Sequence, residues 1–288
     1  MEAGGVPATT ATAGLPWLAI LWILALLIVL FFPVLRLMVK EWATDEDMGH
    51  AFLVPLVAGY IMWQERARIL AQPVKPFWPG LVLVFWAFCQ MVLGFLGADF
   101  FVARTAFLAA LVGAIWTMAG TAVLRSLAFP LFLLLFMIRI PLFIYQQITF
   151  PLQILASGVA ETILQAIGIP VLRHGNVLEL PSRQLQVVEA CSGIRSLLSL
   201  SFLSLAYAQF FDARWWMKPL LFLATIPIAI AANSIRVIIT GMLSEYKPEW
   251  ADGVYHALQG WVIFMLALLV LMALHRLICR FPRFRHAG

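Results

Sequence analysis

Charge is scarce in this chain. Of its 288 residues, 11% are Asp, Glu, Lys or Arg and 63% are hydrophobic, whereas a soluble domain carries about 25% charged residues. That shortage excludes an ordinary soluble fold. Cysteine is scarce too: Cys89, Cys191 and Cys279 form no C-x-x-C pair and no His/Cys cluster along the chain. No disulfide framework, metal site or organic cofactor is therefore expected. Lys and Arg are absent from Met1 to Pro16, so a cleavable signal peptide is not expected and the first apolar run reads as a retained helix. Strand-like alternation is missing from the apolar runs, which leaves helices rather than a barrel as the spanning elements.

What the chain has is long apolar stretches. They predict an all-α polytopic membrane protein, one integral-membrane domain over residues 1–288, with an N-terminal tail (1–16) and a basic C-terminal tail (276–288). Eight spans are expected: Trp17–Leu35, Phe52–Gln64, Pro79–Gly97, Val102–Ala119, Leu127–Tyr145, Ser192–Tyr207, Lys218–Thr240 and His256–Cys279. The second and sixth fall below the roughly 20 residues that cross hydrocarbon comfortably. The net charge of +5 comes from Lys and Arg beside apolar ends, a topogenic pattern with no nucleic-acid partner implied. With the N-terminus inside, ten Lys/Arg fall in inner loops and six in outer ones, so both termini are expected to be cytoplasmic. The basic tail reads as an anchor beside anionic lipid.

The longest outer segment runs from Gln146 to Ala190. Pro151–Gly168 carries Leu152, Leu155, Val159, Ile163, Leu164 and Ile167 at helical spacing, with Gln153, Ser157 and Glu161 between them. That pattern predicts a helix at the interface or tucked between spans. Two short strands about a His174-Gly175-Asn176 turn follow, and Leu185-Gln-Val-Val reads as a third. This small extracytoplasmic β-element feeds into Glu189-Ala-Cys-Ser-Gly-Ile-Arg-Ser.

Three reactive groups converge on one face. Cys191 precedes the sixth span, Arg236 lies four residues from the expected end of the seventh, and His256 opens the eighth. Consecutive spans alternate direction, so these three positions share one side of the bilayer. A thiol at a helix N-terminus feels the positive dipole end, which lowers its pKa. A guanidinium can hold an oxyanion, and a histidine can deprotonate the thiol and protonate a leaving amine. Ser192 and Gly193 leave room for a substrate carbonyl, and Arg195 is four residues from Cys191, on the same helical face. Glu189, Asn233 and the outer-face His50 are further candidates for orienting the three or touching substrate.

Spacing alone leaves blander readings open. Cysteine is a common buried residue, the reading taken for Cys89 and Cys279, and His256 and His50 can be interfacial residues. Arg139 can face a polar cavity or snorkel. Arg236 is harder to dismiss, since an arginine at mid-span costs about 2.5–3.5 kcal/mol on insertion scales.

Glu189-Ala-Cys-Ser-Gly-Ile-Arg-Ser, Ala232-Asn-Ser-Ile-Arg-Val and the His256 segment resemble the exosortase/archaeosortase family of membrane transpeptidases. So do Gly168-Ile-Pro-Val, Gly175-Asn-Val and Gly49-His-Ala-Phe-Leu-Val-Pro, so the resemblance runs in blocks from about His50 to Ala273. Ala51 stands where a glycine is expected. The resemblance implies catalysis by Cys191, Arg236 and His256 at the outer face of the bacterial cytoplasmic membrane. It implies secreted protein substrates with a C-terminal signal (a Pro-Glu-Pro-like motif, a hydrophobic helix and a basic tail), a thioester intermediate, and transfer to an acceptor of surface glycan or lipid. Some relatives carry a further C-terminal domain; here it is expected to be separate or absent. A second reading, from another class, is an anion or solute transporter or export partner using Arg236, Arg195 and Glu189. Such a protein would want polar residues through the depth of its spans, whereas here they gather at one end of the late ones.

Overall fold

The computed structural model describes residues 17–187, 194–212, 214–250 and 253–280. The chain divides into two compact units, Met1–Arg139 and Ile140–Gly288. Among the described residues the fold is helical apart from one small sheet. Five helices are long and apolar enough to cross a membrane, and up to seven spans result if each of two bent helix pairs counts as one. The chain is a multi-pass membrane protein, and its described residues hold five to seven candidate spans where eight were expected.

The first unit contains α1 (Trp17–Leu30), α2 (Phe32–Thr44), a 3-10 turn (Glu46–Phe52), α3 (Leu53–Gln64), α4 (Arg66–Leu70), α5 (Pro79–Leu96), α6 (Phe100–Ser126), α7 (Ala128–Leu133) and a 3-10 turn (Leu134–Met137). The expected span Trp17–Leu35 is bent, α1 and α2 meeting at 71°. Pro33, in the first turn of α2, lacks an N–H and its ring crowds the carbonyl four residues back, which ends α1 there. The expected span Phe52–Gln64 forms α3 of 12 residues, about 18 Å long and short of the hydrocarbon thickness. The expected span Leu127–Tyr145 is interrupted: helix stops at Met137 and resumes at Leu142, after Pro141.

Helices α5 and α6 approach closely because small residues line their contact. A Cβ on Gly80 would lie 2.6 Å from the Thr117 nitrogen, and one on Gly94 would lie 2.7 Å from the Ala103 nitrogen. Near its end α6 breaks at Gly120, whose φ is 85°. The carbonyls of Thr117 and Ala119 accept instead from the N–H groups of Phe77 (3.1 Å) and Lys75 (3.3 Å). The extended strap before α5 thus satisfies backbone groups that the break releases.

In the second unit, α8 (Leu142–Ala166) is one helix that runs through Pro151. It precedes β1 (Leu172–His174), β2 (Val177–Glu179) and β3 (Gln184–Gln186), an antiparallel sheet in the order β1-β2-β3. Gly175, with φ 66°, makes the two-residue turn between β1 and β2. The polar residues of α8 recur every fourth position, and each grips the segment that follows. Gln153 Oε1 accepts from Asn176 (3.0 Å), Ser157 donates to the Gly175 carbonyl (3.0 Å), Glu161 accepts from Arg173 (2.7 Å), and Gln165 donates to the Val171 carbonyl (2.8 Å). The helix expected at the interface or tucked between spans thus docks the sheet through its polar stripe. Beneath it Ala156, Ala160, Leu164, Leu178, Val187 and Val237 form one buried cluster.

Helices α9 (Ile194–Phe211), α10 (Met217–Tyr246) and α11 (Gly253–Arg280) follow. They pack around Leu200, Met217, Leu221, Ile263, Ala267 and Leu271. Where α9 ends and α11 ends, a buried polar cluster joins them. Asp212, after α9, pairs with Arg214 (Oδ1 to Nε, 2.8 Å) and with Nε2 of His275 on α11 (3.0 Å). Nδ1 of His275 meets Tyr207 Oη of α9 at 2.9 Å. Hydrogen bonds from Arg214, ahead of the opposing cost of burial, hold the Asp212 carboxyl well below the usual carboxylate range. With the ends of α9 and α11 tied, the two helices run in the same direction and their starts share the opposite end.

Replacing Gly120 by alanine adds a Cβ 1.9 Å from the Lys75 carbonyl oxygen at a positive φ. The expected loss is about 1–3 kcal/mol of stability, read as a lowered thermal midpoint in detergent. Gly59→Ala in α3, whose Cβ meets nothing within 4 Å, should lose nothing. Equal midpoints for the two variants would show that the break at Gly120 is not required.

Candidate active site

Arg236 lies on α10, which runs on to Tyr246 rather than ending at Thr240. The extra turns are held from the sheet side. Ser182 donates to Glu245 (2.6 Å) and Arg183 to the Ser244 hydroxyl (2.8 Å), so the helix end that the sequence placed four residues past Arg236 is corrected by these anchors. Arg236 is half-buried. A Cβ on Gly260 of α11 would lie 3.2 Å from Nη2 and 3.3 Å from Cζ of Arg236. The guanidinium therefore rests against α11 at a position where only glycine leaves it this space.

Gln259 secures the same contact from the backbone side. Its amide donates to the Arg236 carbonyl (3.0 Å) and its oxygen accepts from Thr240 (3.2 Å). Position 256 lies one turn before Gly260, and residues four apart share a helix face. His256 is within α11, and its side chain lies outside the described residues. So do Glu189, Cys191, Ser192 and Gly193. Of the described residues flanking that stretch, Val187 packs in one cluster with Val237, next to Arg236 in sequence, and Ile194, 1% exposed, opens α9. Arg195 is half-buried in the first turn of α9.

Asn233, one turn before Arg236 on α10, is 5% exposed. Its Nδ2 finds no hydrogen-bond partner among the described residues. A buried amide donor in that condition costs about 1–3 kcal/mol unless something accepts from it, so it is poised to serve a group from outside these residues.

His50 and Arg139 belong to the first unit. His50 is buried in the 3-10 turn after α2. Burial pushes its imidazole below the ordinary value, opposed by hydrogen bonding with the Phe136 and Asp47 backbone. Arg139 pairs with Asp45 at 3.0 Å, and buried Arg104 of α6 pairs with Glu41 of α2. Arg139 is thus an ion-pair partner rather than a bare snorkelling cation.

Sequence reasoning missed two things. Gly260 and Gln259, next to one another on α11, hold Arg236; a small residue one turn after His256 was the available signal. The second is Cys279, read as an ordinary buried thiol. It lies beside His275 Nε2 (3.4 Å), Asp212 Oδ2 (3.8 Å) and Arg214 (2.8 Å), and the four-residue spacing of His275 and Cys279 on one helix was the clue.

No curated protein and no solved structure gives a significant match to the chain. A sequence model of the transmembrane exosortase family matches residues 42–273. That stretch holds the Gly49, Gly168, Cys191, Arg236 and His256 segments and covers most of the chain, which belongs to the transmembrane exosortase family.

Proposed function

We propose that the protein is a cysteine transpeptidase that processes C-terminal sorting signals of the Pro-Glu-Pro type on secreted proteins. The observation that carries this reading is the seat of Arg236: its guanidinium lies against Gly260, one helical turn from position 256. Its neighbour Val237 shares a core with Val187, four residues before Cys191 in sequence. Thiol, guanidinium and imidazole are the three groups that acyl transfer through a thioester needs.

In this mechanism His256 takes the proton of the Cys191 thiol, and the sulfur attacks the carbonyl of the scissile peptide bond. Arg236 and the Asn233 amide hold the oxyanion that forms. Collapse expels the segment carrying the hydrophobic helix and basic tail as a free amine, protonated by His256, and leaves a thioester on Cys191. A hydroxyl or amine nucleophile from glycan or lipid then attacks the thioester, its proton passes to His256, and the sulfur leaves as thiolate. Glu189 and Arg195 orient the ends of this group, while Ser192 and Gly193 leave the carbonyl its approach. The site works at the outer face of a bacterial cytoplasmic membrane, with both termini inside, so enzyme and signal helix share a bilayer.

Cys191→Ala should abolish substrate processing, and Cys89→Ala should leave it intact. Mass analysis of the enzyme trapped with a signal-bearing substrate should find the thioester on the peptide containing Cys191; a thioester elsewhere, or none, would remove the nucleophile assignment. Arg236→Lys should lose about 10²-fold in turnover, because an ammonium cannot reproduce the planar fork of donors. Gly260→Leu should cost a similar factor by displacing the guanidinium about 1 Å, with KM little changed. Asn233→Ala should lose about 10²-fold in kcat if its amide serves the oxyanion; near-normal kcat would exclude it from that role.

A further inference from the structure

The end of the bundle away from Arg236 holds chemistry that the proposed reaction does not use. Asp212 follows α9, and His275 and Cys279 sit one turn apart on α11. Their ligand atoms form a small triangle: Asp212 Oδ2 to His275 Nε2 is 3.0 Å, His275 Nε2 to Cys279 Sγ is 3.4 Å, and Cys279 Sγ to Asp212 Oδ2 is 3.8 Å. Tetrahedral zinc with bonds of about 2.0–2.3 Å to N, O and S needs ligand atoms roughly 3.3–3.6 Å apart. The triangle is close to that size before any side chain moves, its shortest edge about 0.3 Å under the range and its longest about 0.2 Å over it. Carboxylate, imidazole and thiol are also the donor types that suit zinc.

The surroundings fit as well. Metal-bound histidines hydrogen-bond through the second ring nitrogen, which fixes tautomer and ring orientation. Here Nδ1 of His275 meets Tyr207 Oη at 2.9 Å, leaving Nε2 turned to the triangle. The Asp212 and His275 side chains are 5% and 8% exposed. Arg276 and Arg280 line a different face of α11, with Leu269, Val270 and Leu277.

One cation already uses this place. The Arg214 guanidinium reaches both Asp212 Oδ2 and Cys279 Sγ, two corners of the triangle, and its Cζ lies 5.0 Å from the Trp216 ring centroid. We propose that Asp212, His275 and Cys279 form a binding site for one Zn2+ ion, in which the metal replaces Arg214 as the cation facing the carboxylate and sulfur. On binding, the Cys279 S–H bond breaks, its proton passes to solvent, and the thiolate bonds to the metal. Carboxylate and thiolate then balance the two positive charges. Arg214 turns away from Asp212 and keeps its place over Trp216, and the fourth metal position stays open to water. The ion ties the linker after α9 to the end of α11.

The test uses the full-length protein in detergent, with Cys191→Ser as background so that the proposed nucleophile contributes no thiolate. Co2+ serves as a spectroscopic probe for zinc. One Co2+ per chain should bind, with a thiolate-to-cobalt charge-transfer band in the near ultraviolet that Zn2+ abolishes by displacement. Cys279→Ser should lose the band, Cys89→Ala should keep it, and Arg214→Gln should bind the metal more tightly. Zn2+ should also raise the thermal midpoint of the background protein but not of His275→Ala. Absence of the band in both the background protein and Arg214→Gln overturns the proposal and leaves the cluster an ion-pair clamp. A band that survives Cys279→Ser overturns it equally.

Discussion

A buried carboxylate, Asp212, organises the second unit of this molecule. It accepts from Arg214 and meets His275, while His275 reaches Tyr207, so one polar cluster joins α9, the following linker and α11. Leaving any one of these groups unpartnered in an apolar bundle would cost several kcal/mol. The cluster therefore sets the ends of α9 and α11 together. Successive helices reverse direction, so tying two ends leaves the two starts neighbours as well. Arg236 on α10, at the other end of the bundle, is brought against α11.

The same demand for partners explains the segment before α9. A sheet of three-residue strands cannot stand alone, for it buries too little and leaves edges open. Here α8 supplies Gln153, Ser157, Glu161 and Gln165 along one edge, and the end of α10 supplies Ser244 and Glu245. The sheet is held between two helices, and the chain leaving it at Val187 starts from a fixed position beside Val237.

Polar chemistry is thus split between two depths. At one end Arg236 and Asn233 lie one turn apart on α10, the Arg236 guanidinium rests against Gly260 of α11, and Gln259 locks the two backbones. At the other end the Asp212 cluster joins α9 to α11. The segments of the first group lie within residues 42–273, matched by the transmembrane exosortase family. Tyr207, Asp212 and Arg214 of the second group lie within them too, and His275 and Cys279 lie beyond.

Composition and run length were enough to read the all-helical, multi-pass character and the limits of α5, because a bilayer demands long apolar helices whatever their neighbours. The Cys191, Arg236 and His256 segments were legible as family motifs, and all lie within residues 42–273, while Cys191 and the His256 side chain lie outside the described residues. Helix breaks were harder to read. Pro33 divides α1 from α2, yet Pro151 leaves α8 whole, and the difference rests on how neighbouring groups satisfy the backbone. Gln153, Ser157 and Glu161 read as the polar positions of a helix at the interface or between spans, and only the sheet supplied their partners. Gly260 became meaningful only once Arg236 was seen to rest on it, and Cys279 only once Asp212 and His275 stood beside it. Sequence determines which segments seek apolar surroundings and how far apart reactive groups lie along the chain. Which side chains meet is decided by packing, because a contact depends on two surfaces and each segment of sequence describes one.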